Sequence, residues 1–184
     1  MLIILILFII ALLLISVLTF KLLYIIKHSN FKKTISFLEK YIIIILSLLI
    51  FIYSAYTIYS ISNTDYFVFI YIANAVISTI YFIIIFSSSK KLLKNLKNEI
   101  IFDDQNAVEI RKIGTNFLYL AITEIVTGLL LNIVLFMSRY TDTFSIQTNL
   151  TIFIYITIGV ILLIIDFILK KAIEIDRENK LTIW

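Results

Sequence analysis

Apolar residues fill this chain in five long runs, and charged residues are nearly confined to the intervals between them. The runs are Leu2–Phe20, Tyr41–Ile61, Tyr66–Phe86, Thr115–Ser138 and Leu150–Leu169, each of 19 to 24 residues. About 20 helical residues cross a hydrocarbon core about 30 Å thick. The isoleucine-rich stretches, such as Tyr41 to Ile45, would favour strands in water. In lipid a lone strand leaves its backbone unpaired, so each run predicts a spanning helix. No proline and only three glycines occur in 184 residues, which leaves long helices uninterrupted. The pattern predicts an all-α, polytopic transmembrane helix bundle of five spans. The first run has no basic region before it and no small-residue cleavage site after it, and so reads as a retained span rather than a signal peptide.

Charge adds an orientation. The connection from Lys21 to Lys40 holds five basic residues, Ser87–Gly114 holds six, and the tail beyond Leu169 holds four. The connection Ser62–Asp65 holds none, and Arg139–Asn149 holds one. Fifteen of the sixteen Lys and Arg residues thus lie on alternating connections. Basic loops stay on the cytoplasmic side. Five spans with an external N-terminus and a cytoplasmic C-terminus put all three basic segments there. Residues 1–40 then form an extra N-terminal span with its basic connection. Residues 41–184 form a four-span domain with a cytoplasmic connection at 87–114 and a cytoplasmic tail at 170–184. The short Ser62–Asp65 connection predicts a tight hairpin of spans two and three.

Composition agrees with a lipid solvent, at 61% hydrophobic and 15% charged residues. Soluble domains carry about 45–50% and about 25%. The net charge of +4 is spread over separate connections that topology explains, so direct nucleic-acid binding is not expected. Cysteine is absent, which removes disulfides and thiolate chemistry. The single histidine, His28, sits in a basic loop without a nearby acid partner, and the three glycines are too scattered to cradle a phosphate. Neither an enzyme nor a cofactor or metal site is expected. Asp103, Asp104 and Glu99 read better as cap and turn residues than as cation ligands.

Polar residues inside the runs are the first candidates for function, because ionisable groups at membrane depth are costly. Glu124 is the tenth residue of its run, roughly 14 Å in at 1.5 Å per residue. Thr127, Gly128 and Asn132 follow it on one helical face. Asn74, with Tyr71, Ser78 and Tyr81, forms a similar stripe on the third run and is the natural hydrogen-bonding surface for the Glu124 face. Glu124 is either a proton or cation site or a hydrogen-bonded acid that fixes helix packing. Asp166, with Lys170 at i+4, reads as a solvated ion pair at the cytoplasmic interface.

The cytoplasmic segments carry their own pattern. Leu92, Leu93, Leu96 and Ile100 lie at helical spacing among Lys90, Lys94 and Lys97, predicting an amphipathic extension of the third span. A break at Phe102-Asp103-Asp104 follows. Asp103 is a candidate N-cap for a helix that runs on into the fourth span.

Two motifs in these segments carry a resemblance. Ile101-Phe102-Asp103-Asp104-Gln105-Asn106-Ala107, then Ile110-Arg111-Lys112-Ile113-Gly114, resembles a "pFt-x-eN, then LR-x-IG" signature. Lys171-Ala172-Ile173-Glu174, then Arg177-Glu178-Asn179-Lys180-Leu181-Thr182-Ile183, resembles a closing "A, then eENdLTI/V" signature. Both signatures belong to a bacterial membrane family of unknown function (domain of unknown function 2975), and the resemblance covers roughly residues 41–184. It implies a four-helix membrane domain with both motifs on the cytoplasmic side. It also implies an association with a small helix-turn-helix regulator, beside which some members are encoded. Asp103 stands where the family often has threonine, Lys180 where it usually has aspartate, and residues 1–40 are additional.

Phe102, Ile110, Leu181, Ile183 and Trp184 place apolar groups among charges at the inner face, as a lid under the bundle or as a docking patch. The leading expectation is a non-enzymatic regulatory or interaction protein with a cytoplasmic docking face for a protein partner. A small proton-coupled transporter using Glu124 is the second reading, and immunity against a membrane-active peptide is a third. Besides the lipid bilayer, a second copy of the chain is a candidate partner.

Overall fold

The computed structural model describes residues 68–138 and 150–182, the stretch 32–39, and residues 16, 17, 20, 21, 24, 25, 27 and 41. Most of the first run, the second run, the 62–65 hairpin, the 139–149 connection, Ile183 and Trp184 lie outside the described residues. Three long helices dominate: α1 (Val68–Lys97), α2 (Asp104–Met137) and α3 (Leu150–Thr182). All three are long and apolar enough to cross a membrane, and together they form a transmembrane helix bundle. At 1.5 Å per residue they run about 45 to 51 Å, so each overshoots a core of about 30 Å by at least about 15 Å. The overshoot gathers at one end, where Lys90, Lys91, Lys94, Lys97, Arg111, Lys112, Lys170 and Lys171 lie. This is the basic end of the bundle.

The amphipathicity is inverted relative to a helix packed in water. Buried positions on α1 include Asn74, Ser78 and Ser88, and on α2 Asn106, Asn116 and Thr127. The outward faces carry Ile72, Val76, Ile80 and Ile83 on α1 and Val160, Ile161 and Ile164 on α3. Lipid tails are as apolar as these side chains, so packing of small and polar groups, not apolar burial, joins the helices.

Helix α2 is the centre, packed against both α1 and α3. Ile85, Ile113 and Leu120 form the core, flanked by Tyr81, Phe82, Phe117, Tyr155 and Leu162. Phe82 of α1 meets Tyr155 of α3 edge-on, with centroids 6.4 Å apart. The α2–α3 crossing falls on Gly114 and Gly159. A methyl group added to Gly114 would lie 3.1 Å from the Gly159 carbonyl oxygen, and one on Gly159 would lie 3.0 Å from that of Gly114. Both distances are tighter than ordinary contact, so a side chain at either position would push the two backbones apart by a few tenths of an ångström.

Helix α1 continues to Lys97 as its amphipathic pattern predicts. It ends on Glu99, whose φ of 62° is left-handed. The Ile100 amide donates to the Asn95 carbonyl at 3.0 Å and the Glu99 amide to Leu96 at 3.1 Å, the paired bonds that close a helix C-terminus on such a residue. Helix α2 restarts at once, with Asp103 as N-cap: its side chain accepts from the Gln105 amide at 3.0 Å. The expected N-cap is therefore present.

Candidate functional site

The connection between α1 and α2 is braced from inside by Asn106, which is almost fully buried. Its amide nitrogen donates to the carbonyls of Ile100 at 2.7 Å and Ile101 at 3.0 Å, and its amide oxygen accepts from Asn95 at 2.9 Å. One side chain thus satisfies two turn carbonyls and clamps the turn to α1. Nothing in the sequence separates this role from an exposed motif asparagine, though burial of a polar residue beside a helix break is the signal to look for.

Arg111, further along α2, reaches α3. Its Nε donates to Asp166 Oδ2 at 2.9 Å, and Lys170 approaches the same carboxylate at 3.1 Å. The sequence reading of Asp166 as a solvated pair with Lys170 is corrected here: Asp166 is only 3% exposed. Spacing within α3 reveals Lys170, but the second cation comes from another helix, and two cations compensate a carboxylate at the helix interface that one exposed lysine could not.

Glu109 is a further buried acid on α2, before the apolar run that begins at Thr115, and the motifs do not single it out. Its Oε1 lies 3.1 Å from Lys112 and 3.7 Å from Lys91 of α1. Desolvation pushes its carboxyl up, but the Ser88 hydroxyl, Lys112 and Lys91 outweigh that and hold it below the ordinary glutamate value. At the tip of the bundle, Arg177 of α3 pairs with Asp104 in the first turn of α2. The two sequence motifs are thereby brought side by side.

The apolar residues of these motifs divide. Ile110 is buried, whereas Phe102 is 57% and Leu181 79% exposed. Phe102 and Leu181 do not close a lid under the bundle. Glu178 and Asn179 are also on the outside, and Thr182 is the last residue of α3. Gly114 serves the helix crossing. Among the motif candidates, Asp103, Asn106, Arg111 and Gly114 build the platform, and Phe102, Glu178, Asn179 and Leu181 are displayed on it.

The mid-span candidates form a separate cluster. Asn74 Nδ2 donates to Glu124 Oε1 at 3.5 Å, and Ser78 Oγ donates to Asn74 Oδ1, also at 3.5 Å. The expected α1–α2 partnership is present, with long bonds. Asn132 does not join it by its amide nitrogen, which donates to the Gly128 carbonyl of its own helix at 2.8 Å. Beside the cluster runs a groove of about 420 Å³ between α1 and α2, lined by Asn74, Thr123 and Thr127 among apolar residues. Among the described residues no group of three acidic or histidine side chains is arranged to hold a metal ion.

The basic connection before the family-like domain also reaches this end. In the helical stretch 32–39, Lys32 pairs with Glu99 at 2.8 Å and Glu39 with Lys97 at 3.1 Å, while Ile35 is buried.

No curated protein and no solved structure matches the chain. One family model does match, over residues 55–183, and takes in both motifs, the Asn106 brace, the Arg111–Asp166 pair and the Asn74–Glu124 cluster. With more than half of its length matched, the chain belongs to the family described as "Protein of unknown function (DUF2975)".

Proposed function

We propose that this protein is a five-span, non-enzymatic protein of the bacterial cytoplasmic membrane, N-terminus outside, whose basic cytoplasmic end docks a regulatory protein partner. The observation that carries the reading is the Arg177–Asp104 pair, which unites the two motifs into one surface displaying Phe102 and Leu181. Exposed large apolar side chains on a braced, charged platform are what a partner-binding surface requires. The Lys32–Glu99 and Glu39–Lys97 pairs support the orientation, since they join the stretch 32–39 to the 87–114 connection. The family resemblance favours a small helix-turn-helix regulator as the partner, an analogy rather than a contact. A photo-crosslinking residue placed at Phe102 or Leu181 in native membranes tests this. Adducts with a DNA-binding regulator, absent from a lipid-facing control at Ile164, support it; adducts with lipid or self alone sink it.

The Asn74–Glu124 cluster beside its groove favours a second reading, proton-coupled transport through Glu124. That reading requires Glu124→Gln to abolish proton-driven uptake or efflux in vesicles while insertion and thermal stability persist. Retained activity in the variant eliminates it.

A further inference from the structure

A cleft of about 490 Å³ opens between the basic ends of α1 and α2, lined by Lys91, Lys94, Asn95, Asp104, Gln105 and Glu109, with Val108. Lys91 and Lys94 lie five and eight residues beyond Phe86, where the apolar run of α1 ends. At 1.5 Å per residue that is about 8 and 12 Å past the hydrocarbon boundary, so Lys91 lies at the level of the lipid headgroups and Lys94 just outside them, with a side chain long enough to reach back. The lining is mixed in sign, and this mixture is informative. A plain anion at Lys91 and Lys94 meets the carboxylates of Glu109 and Asp104; a plain cation meets the two lysines. A ligand that carries both charges a few bonds apart meets each with its opposite.

We infer that this cleft binds a headgroup combining a phosphate with a primary ammonium, that of an ethanolamine phospholipid in the adjoining leaflet. The phosphate accepts from Lys91 and Lys94, and the ammonium donates to Glu109, with Asp104, which keeps its pair with Arg177, adding negative charge beside it. Lys91 is available for this, because at 3.7 Å from Glu109 it is close enough for attraction but too far for a hydrogen bond. Lys94 pairs with no carboxylate among the described residues. Asn95 and Gln105 add amide groups that serve either end. The cleft shares Asp104 with the docking reading, but the variants that test it, at Lys94 and Glu109, touch neither Arg177 nor the exposed Phe102 and Leu181.

The test is native mass spectrometry of the full chain released from membranes containing equal ethanolamine and glycerol phospholipids. The ethanolamine lipid is expected to be retained preferentially, and Lys94→Glu to reduce that retention about tenfold, the loss of one charge-assisted hydrogen bond. Lys94 is exposed, so the substitution costs the fold only its helix-end charge, and equal thermal unfolding of Lys94→Gln, expected to lose the lipid as well, separates binding from folding. Glu109→Gln is expected to erase the preference for ethanolamine over glycerol headgroups while leaving phosphate binding. Soluble phosphoethanolamine separates the sources: failure to displace the lipid at millimolar concentration supports a membrane ligand, and ready displacement overturns the lipid assignment. Equal retention of both lipids by the wild type, or unchanged retention in Lys94→Glu, overturns the inference altogether.

Discussion

Arg111 and Asp166, 55 positions apart, are joined by a 2.9 Å hydrogen bond that ties the N-terminal part of α2 to the middle of α3. The pair is asymmetric: the Asp166 side chain is 5% exposed and that of Arg111 56%. Removing the arginine strands a buried carboxylate, whereas neutralising the aspartate removes the charge that needed compensation. Arg111→Ala is therefore expected to cost about 1–3 kcal/mol, toward the lower end because Lys170 remains and solvent screens the guanidinium. Asp166→Asn is expected to cost less. Thermal unfolding in detergent micelles gives the order, and equal losses would contradict the asymmetry.

Asn106 makes a sharper prediction, since its role depends on donating and accepting at once. Asn106→Ala leaves the Ile100 and Ile101 carbonyls and the Asn95 amide without this partner, at about 2–3 kcal/mol. Asn106→Asp keeps the shape but replaces the donor with a second acceptor facing two carbonyl oxygens. It is expected to be at least as damaging as alanine, despite being nearly isosteric. Hydrogen exchange at residues 98–106 should accelerate in both variants, and wild-type protection in Asn106→Asp would refute the clamp.

At Glu99 the sign reverses. A residue with a side chain held at φ 62° costs roughly 1 kcal/mol relative to glycine in that conformation. Glu99→Gly relieves this and sacrifices only the exposed pair with Lys32, which contributes little. The variant is expected to melt at higher temperature than the wild type. A lower melting temperature would assign the Lys32 contact a larger share.

Glu109 predicts a pH dependence. Burial alone would raise its value, but Ser88, Lys112 and Lys91 prevail and hold it below the ordinary 4.5. With the folded value below the unfolded one, its stabilisation is complete above 4.5 and is withdrawn as pH falls through the lower folded value. Unfolding measured from neutral pH to about pH 3 should lose stability more steeply in the wild type than in Glu109→Gln. Parallel profiles would exclude this carboxylate as the source.

Much of this architecture is written locally in the chain. Runs of apolar residues set α1, α2 and α3, and Asp103 marks the start of α2 because capping involves only neighbours in sequence. The Asn74–Glu124 partnership is legible too, as two polar stripes in apolar helices have few other places to go. What local pattern does not convey is distance-spanning compensation. Asp166 looks like half of an i,i+4 pair until α2 supplies Arg111, and Asn106 looks like a displayed motif residue until the turn folds around it. Gly114 and Gly159 say nothing apart, and acquire meaning only where their helices cross.

The antiparallel course of α1, α2 and α3 brings two helix C-termini and one N-terminus to the basic end. Aligned peptide dipoles put about half a negative charge at each C-terminus and half a positive charge at each N-terminus. Two against one leaves that end of the backbone itself net negative. Lys94 and Lys97 close α1, Lys180 closes α3, and Asp104 opens α2, each opposing the partial charge beside it. The lysines on which the proposed orientation rests thus also neutralise the ends of the helices they follow, so moving them to invert the protein in the membrane is expected to weaken the fold being inverted.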